Sequence, residues 1–343
     1  MRKYRKQEHI ENYLRTKFTG NPRFCDVFLK HNSLPNLAVE DVRTEIEFLG
    51  KDIEFPLMIN AMTGGSDFSE EINRDLAELA KACHLPMAVG SQTIAIEDHQ
   101  ARRSFRIVRE ILKDGIVYSN INGLLGPEEA KIAVDLIEAD ALQIHLNPAQ
   151  ELIMKEGDRD FTKVLSNIEA IVNAIDVPVI VKEVGFGMSK DVIQKLYDVG
   201  VRCVDISGFG GTNFFEVENL RYPQEDYSEL FTWGIPTALC IIEGKSLQYD
   251  DLVLVASGGI RNAEDLVKSI ILGADMTGIS GELLKYLIHG GYDHGRDYLE
   301  NIKLKTKILM LLLGAKNIKE LKNIPYLLKG ELKDLVEQKN EGR

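Results

Sequence analysis

The stretch Cys203-Val-Asp-Ile-Ser-Gly-Phe-Gly-Gly-Thr212 is a short β-rich run that ends in a glycine loop, and how often such a run recurs decides the fold. From residue 55 onward the runs are Phe55–Asn60, Pro86–Gly90, Ile116–Asn120, Ala141–His145, Pro178–Lys182, Cys203–Ser207, Leu252–Ser257 and Asp275–Ser280. Amphipathic stretches separate them: Ser69–Cys83, Glu97–Lys113, Pro127–Glu138, Phe161–Ile175, Ser189–Val199 and Asn262–Leu272, with a further segment near Glu229–Glu243. Each is long enough for a crossover helix. Strands alternating with helices in this way are parallel βα units, and eight of them predict an α/β chain folded as a (β/α)8 TIM barrel.

An open doubly wound sheet uses the same alternation but gathers its ligand groups at one switch point. Here nearly every run ends in polar or glycine residues, which is where barrel active sites are built. Polar residues also end strands simply by leaving the core, so no single position decides this. The eight together favour a barrel with one site at its mouth. Residues 1–54 read as an N-terminal arm and a hairpin, Glu45–Phe48 with Ile53–Phe55, serving as a lid on the barrel's floor. Residues 55–290 are the barrel and 291–343 a tail of Leu- and Lys-rich helices that pack against it, all within one domain spanning 1–343.

At 343 residues and 44% hydrophobic the chain buries a large core. A formal net charge of −12 without a dense basic stripe argues against nucleic acid or an anionic membrane surface as partner. The four cysteines form no C-x-x-C pair, which fits a reduced cytoplasm. No apolar run approaches the roughly 18–20 residues of a membrane span.

Ser207-Gly-Phe-Gly-Gly-Thr212 and Ser257-Gly-Gly-Ile-Arg261 follow runs six and seven. Consecutive bare amides beside a hydroxyl or a helix N-terminus hold phosphate, and barrels recurrently seat a phosphate by their last strands. Glycines that merely make tight turns are the plain alternative. Lys182 ends an apolar run, and a buried lysine needs an anion or a carboxylate such as Glu183.

The series Arg5-Lys6-Gln-Glu-His9, Asn60-Ala-Met-Thr-Gly-Gly65, Gly90-Ser-Gln92, His145-Leu-Asn-Pro-Ala-Gln-Glu151, Val181-Lys-Glu-Val-Gly-Phe-Gly187 and the two glycine loops resembles, in order, the motifs of type 2 isopentenyl-diphosphate isomerase. The resemblance runs from residue 5 to about 285, and the His145–Glu151 segment is its most discriminating piece. It implies FMN used in reduced form, Mg2+, NADPH as reductant, and interconversion of isopentenyl and dimethylallyl diphosphates. Ala61, Met62, Thr63, Ser91, Asn120, Lys182, Ser207 and Thr212 would contact FMN, with Gly258, Gly259 and Arg261 near its phosphate. Ser280 and Gly281 would join them, although the family pattern has an alanine-containing pair there. Arg5, Lys6, His9, His145, Asn147 and Gln150 would hold the substrate, Glu151 would ligate Mg2+, and Gln150, Lys182 and His145 would be catalytic. A homo-oligomer, tetramer or octamer, and a cytoplasmic location complete the expectation, with the basic arm reaching its own site or a neighbour's.

Two other readings compete. An FMN-dependent 2-hydroxy acid oxidase or dehydrogenase shares the glycine loops but needs a His base beside an Arg clamp, and the loops after runs six and seven hold no His. A barrel that binds a phosphorylated ligand without catalysis would not carry flavin.

Overall fold

The computed structural model describes residues 2–341, with side chains described from residue 6 to 338. Eight parallel strands close into a barrel: Leu57–Ile59, Met87–Ala88, Val117–Asn122, Ala141–His145, Val179–Lys182, Cys203–Asp205, Val253–Ala256 and Met276–Ile279. The eighth returns to the first, with Thr277, Gly278 and Ile279 opposite Leu57, Met58 and Ile59, so the barrel has no open edge. This is the (β/α)8 barrel that the eight runs predict. Most strands are shorter than their runs, because residues such as Asn60, Gly90, Ser207 and Ser257 leave the ladder to form the mouth.

Side chains alternate along a strand, so residues two apart face the same way. Met58, Ala88, Tyr118, Ala141, Ile180, Cys203, Val255 and Met276 make one apolar layer within the barrel. Two residues further along the same strands stand Asn60, Gly90, Asn120, Gln143, Lys182, Asp205, Ser257 and Gly278, all buried. The interior therefore changes from apolar to polar within one strand repeat. Gly278 is required there, since a Cβ would come within 2.8 Å of the Asn60 amide nitrogen.

The floor is plugged by a hairpin, Ile46–Phe48 paired antiparallel with Lys51–Ile53. Its two turn residues, Leu49 and Gly50, have φ of 50° and 76°, the handedness that a two-residue hairpin demands. Phe48 and Ile53 insert into the apolar layer, and the Phe48 ring lies 6.4 Å from that of Tyr118.

Three segments depart from the sequence expectation. The helix expected over Glu97–Lys113 is broken into Thr93–Glu97, a 3-10 turn at His99–Arg102, and Arg103–Leu112, because the Asp98 carboxylate accepts the Gln100 N–H at 2.9 Å and makes a turn of its own. Between the sixth and seventh strands lie two helices, Phe214–Arg221 and Thr237–Lys245, in place of one. The tail is not wholly helical: after Gly281–Leu313, bent at Gly291, comes a strand Tyr326–Leu328. It pairs antiparallel with Val27–Leu29.

Truncating Phe48 leaves a void in the layer that the hairpin fills. Phe48→Ala is expected to lower the free energy of unfolding by about 3–5 kcal/mol, read by urea denaturation. A loss below 1 kcal/mol would show that the plug contributes little packing.

Candidate active site

One cavity of about 1300 Å³ opens at the C-terminal ends of the strands. A single small-molecule pocket takes roughly 300–1,000 Å³, so there is room for two ligands side by side. Ala61, Met62, Ser91, Asn120, Lys182, Ser207, Thr212, Gly258, Gly259, Arg261, Ser280 and Gly281 line it, and so do Lys6, His9, His145, Asn147, Gln150 and Glu151. The side chain of Arg5 lies outside the described residues. Thr63 sits behind the wall, buried, with its hydroxyl 2.8 Å from Ser69 Oγ and its carbonyl accepting the Gly90 N–H at 3.0 Å.

The two glycine loops meet backbone to backbone. Gly258 and Gly259 have φ of 90° and 82°, a Cβ on Gly258 would run into the Gly208 backbone, and one on Gly211 would lie 3.0 Å from Gly258 Cα. Amides packed this closely can serve as a cradle for a phosphate, and only glycine permits the approach. The Arg261 guanidinium is used as a clamp: it donates to the carbonyls of Gly20 and Gly210 and ties the N-terminal segment to the cradle. Ser207, Thr212 and the amides of Gly258 and Gly259 fit a phosphorylated cofactor such as FMN.

Lys182 is buried, and its ammonium donates to the Glu183 carbonyl at 2.7 Å. The Glu183 carboxylate is not its partner. That carboxylate accepts from four successive backbone amides, Val184, Gly185, Phe186 and Gly187, at 2.6–3.2 Å. Burial pushes the Glu183 carboxyl up to about 7, while those amides favour its charged form. Lys182 also lines the cavity.

The N-terminal helix, Arg2–Arg15, lies over the same chain's cavity. Its docking rests on Glu218, whose side chain has no exposed surface. His9 Nε2 sits 2.7 Å from Glu218 Oε1, Gln150 Nε2 donates to the same oxygen at 3.0 Å, and Arg221 donates to Oε2 at 2.6 Å. Burial raises the Glu218 carboxyl, but the neighbouring His9 ring and the hydrogen bonds from Gln150 and Arg221 outweigh it and hold the group below its usual range. Burial holds the His9 ring below its ordinary value against the pull of Glu218. Arg221 also reaches Glu8 at 3.2 Å, and Glu216 accepts the N–H groups of Lys17 and Phe18. Glu216, Glu218 and Arg221 all belong to the helix absent from the sequence reading. The signal that marks it is Asn213 three residues before Glu216, a helix-start pattern, and Asn213 Oδ1 does accept from Phe215 and Glu216 N–H.

His145 leaves the fourth strand beside the Lys182 strand. Burial and the charges of Lys182 and Lys6 push its ring down to about 3, so it is neutral. The short helix Pro148–Ile153 then aims Gln150 and Glu151 inward. Glu151 Oε1 accepts from Asn147 at 2.9 Å and Oε2 from the Asp158 N–H at 3.0 Å, leaving each oxygen a lone pair. Among the described residues no group of three or more His, Cys, Asp and Glu is gathered for a metal. An ion held by Glu151 would therefore draw its other ligands from substrate and water.

Removing the Glu218 charge should release the arm. One charge-assisted contact is worth about 1.5–3 kcal/mol, so Glu218→Gln is expected to speed tryptic cleavage within residues 2–15 by on the order of tenfold. An unchanged cleavage rate would show that Glu218 does not latch it.

Residues 127–326 match the FMN-dependent dehydrogenase family. An isopentenyl-diphosphate delta-isomerase of Geobacillus sp. strain WCH70 is 46% identical over 329 residues, covering 95% of this chain and 93% of the relative. One of Listeria innocua is 41% identical over 333 residues, covering 97% and 93%. A crystal structure of mandelate oxidase superposes with a TM-score of 0.65 over 94% of this chain and 95% of that one, at 15% identity, a likeness of fold alone. Identity at this level over nearly the whole length, on the barrel shared with the FMN-dependent dehydrogenases, makes the chain a member of the isopentenyl-diphosphate delta-isomerase family.

Proposed function

We propose that the protein interconverts isopentenyl and dimethylallyl diphosphates with reduced FMN and Mg2+ at the barrel mouth. The supporting observation is that one cavity joins the glycine cradle, the His145–Glu151 segment and the Lys6–His9 arm. When bound, reduced FMN supplies an N5 proton and an electron-rich ring, so that a double bond moves without net oxidation.

The chain's own groups have separable tasks. Ser207, Thr212, Gly258 and Gly259 hold the cofactor phosphate, with Arg261 fixing the cradle. Ala61, Met62, Ser91 and Asn120 border the heterocycle, Thr63 supports that wall from behind, and Ser280 and Gly281 close the far side. Lys182 presents its ammonium to the ring and favours anionic character there. Arg5, Lys6 and His9 bring the arm over a diphosphate, and a closed arm excludes water from the reacting alkene. His145, Asn147 and Gln150 orient the substrate, Gln150 with its amide fixed by Glu218. Glu151 holds Mg2+ against the diphosphate. NADPH acts as the priming reductant, and the proposal extends to a cytoplasmic homo-oligomer, tetramer or octamer, in keeping with four free cysteines.

Isomerisation leaves substrate and product at one oxidation level. Under strict anaerobiosis, a single reduction by dithionite or NADPH should support many turnovers of isopentenyl diphosphate while the flavin spectrum stays reduced. Equal activity with oxidised flavin, or one nicotinamide consumed per product, would refute the proposal. Glu151→Gln should cut Mg2+-stimulated turnover by at least the roughly 10–100-fold seen for partners one shell further from a metal, with flavin content unchanged. Retention of most activity would remove the metal from Glu151.

A further inference from the structure

Asp205 lies inside the barrel with no exposed surface. Its oxygens are divided: Oδ1 accepts the Ser257 hydroxyl at 2.6 Å and the Ser207 N–H at 3.2 Å, and Oδ2 accepts from Asn60 Nδ2 at 2.6 Å. From Asn60 a row of buried amides crosses the barrel. Gln143 Nε2 donates to Asn60 Oδ1 at 2.9 Å, Asn120 Nδ2 donates to Gln143 Oε1 at 3.0 Å, and His145 Nδ1 lies 2.9 Å from Asn120 Oδ1.

The direction of this row follows from its ends. Asn60 turns its NH2 group toward Asp205, whose Oδ2 accepts from it. The Ala61 N–H, 2.9 Å from Asn60 Oδ1, enforces the same orientation. Each amide in turn then presents NH2 toward Asp205 and oxygen toward His145. The last oxygen, on Asn120, needs a donor, and the only candidate along the row is a proton on Nδ1. A histidine's free nitrogen is set by the hydrogen bond of the other.

We propose that Asp205 is a positioning residue: through Asn60, Gln143 and Asn120 it holds His145 as the Nδ1–H tautomer, so that Nε2 meets the substrate as an acceptor. The opposite tautomer would donate at that place. A bare Nε2 welcomes a protonated phosphoryl oxygen and repels a fully deprotonated one, so the row sets which ionic form of a diphosphate seats best. That consequence rests on the isomerase reading above, whereas the tautomer does not. The Ile121 backbone carbonyl also lies beside the ring and is the competing anchor.

The test is magic-angle-spinning NMR of 15N-histidine-labelled, FMN-loaded protein, with His145 assigned by its loss in His145→Gln. In the wild type the ring should carry its proton on Nδ1. Asp205→Asn puts in a group whose oxygen is drawn to Ser207 and Ser257 and whose NH2 faces Asn60, so the polarity of the row is lost. Gln143→Met cuts the row at its middle and leaves every contact of Asp205 in place. Both should populate the Nε2–H tautomer and lower turnover of isopentenyl diphosphate by on the order of tenfold, with FMN content unchanged. A wild-type proton on Nε2 overturns the proposal, and so does a pure Nδ1–H ring in both variants, which would show that something other than the row sets the tautomer. A change in Asp205→Asn alone would mean that Asp205 acts through the loops, and a change in Gln143→Met alone that the row is anchored elsewhere; either overturns it. If Asp205→Asn does not fold, the wild-type spectrum and Gln143→Met decide. Tautomers that follow expectation in a protein unable to isomerise the substrate would leave the relay standing and remove the isomerase reading.

Discussion

The constraint on which the rest depends is a layer of charged and amide side chains inside a closed barrel. Asp205, Lys182, Asn60, Asn120 and Gln143 are all buried, and unmet polar groups in such surroundings cost about 1–3 kcal/mol each, more for charges. The layer has to satisfy itself from within: Asp205, Asn60, Gln143 and Asn120 span the barrel in one row, and Lys182 donates to the Glu183 carbonyl. That requirement accounts for Gly278, which leaves room for Asn60. Below this polar layer lies the apolar layer into which the hairpin plug packs Phe48 and Ile53. The mouth above inherits a set of side chains whose orientations are already decided.

Much of the fold was legible because burial on both faces gives each strand an apolar run and each mouth position a polar or glycine end. The count of eight needed no long-range information. The helix Phe214–Arg221 was not legible by periodicity, since it carries Phe214, Phe215 and Val217 together with Glu216 and Glu218, all serving different neighbours. Nor was the strand Tyr326–Leu328, three residues whose partner lies about 300 positions earlier. A pairing so distant leaves no local trace in composition.

The site was legible in the same uneven way. Lys182, His145 and the glycine loops stand where an apolar run stops, which makes them conspicuous. Asp205 stands inside such a run and reads as an interruption, while Glu218 and Arg221 read as ordinary helix surface. Their importance lies in partners from remote segments: Asn60 for one, His9 and Gln150 for the others. The pairing of Lys182 with the Glu183 carboxylate, the plain alternative to an anionic ligand, is not found: Lys182 donates to the Glu183 carbonyl, and four amides of its own loop occupy the carboxylate.

The pairing of Val27–Leu29 with Tyr326–Leu328 also bears on how the molecule is made. The earlier of the two strands waits for a partner made about 300 residues later, and the Gly20–Pro22 segment packs against glycines of the cradle near residues 210 and 259. Contacts so far apart in sequence form slowly, because a long loop must close before they are gained. Translation delivers only about 5–20 residues per second, so a nascent chain holds its barrel strands for many seconds before its two ends meet. The seam between these two strands is therefore set to close late, after the more local contacts of the βα units.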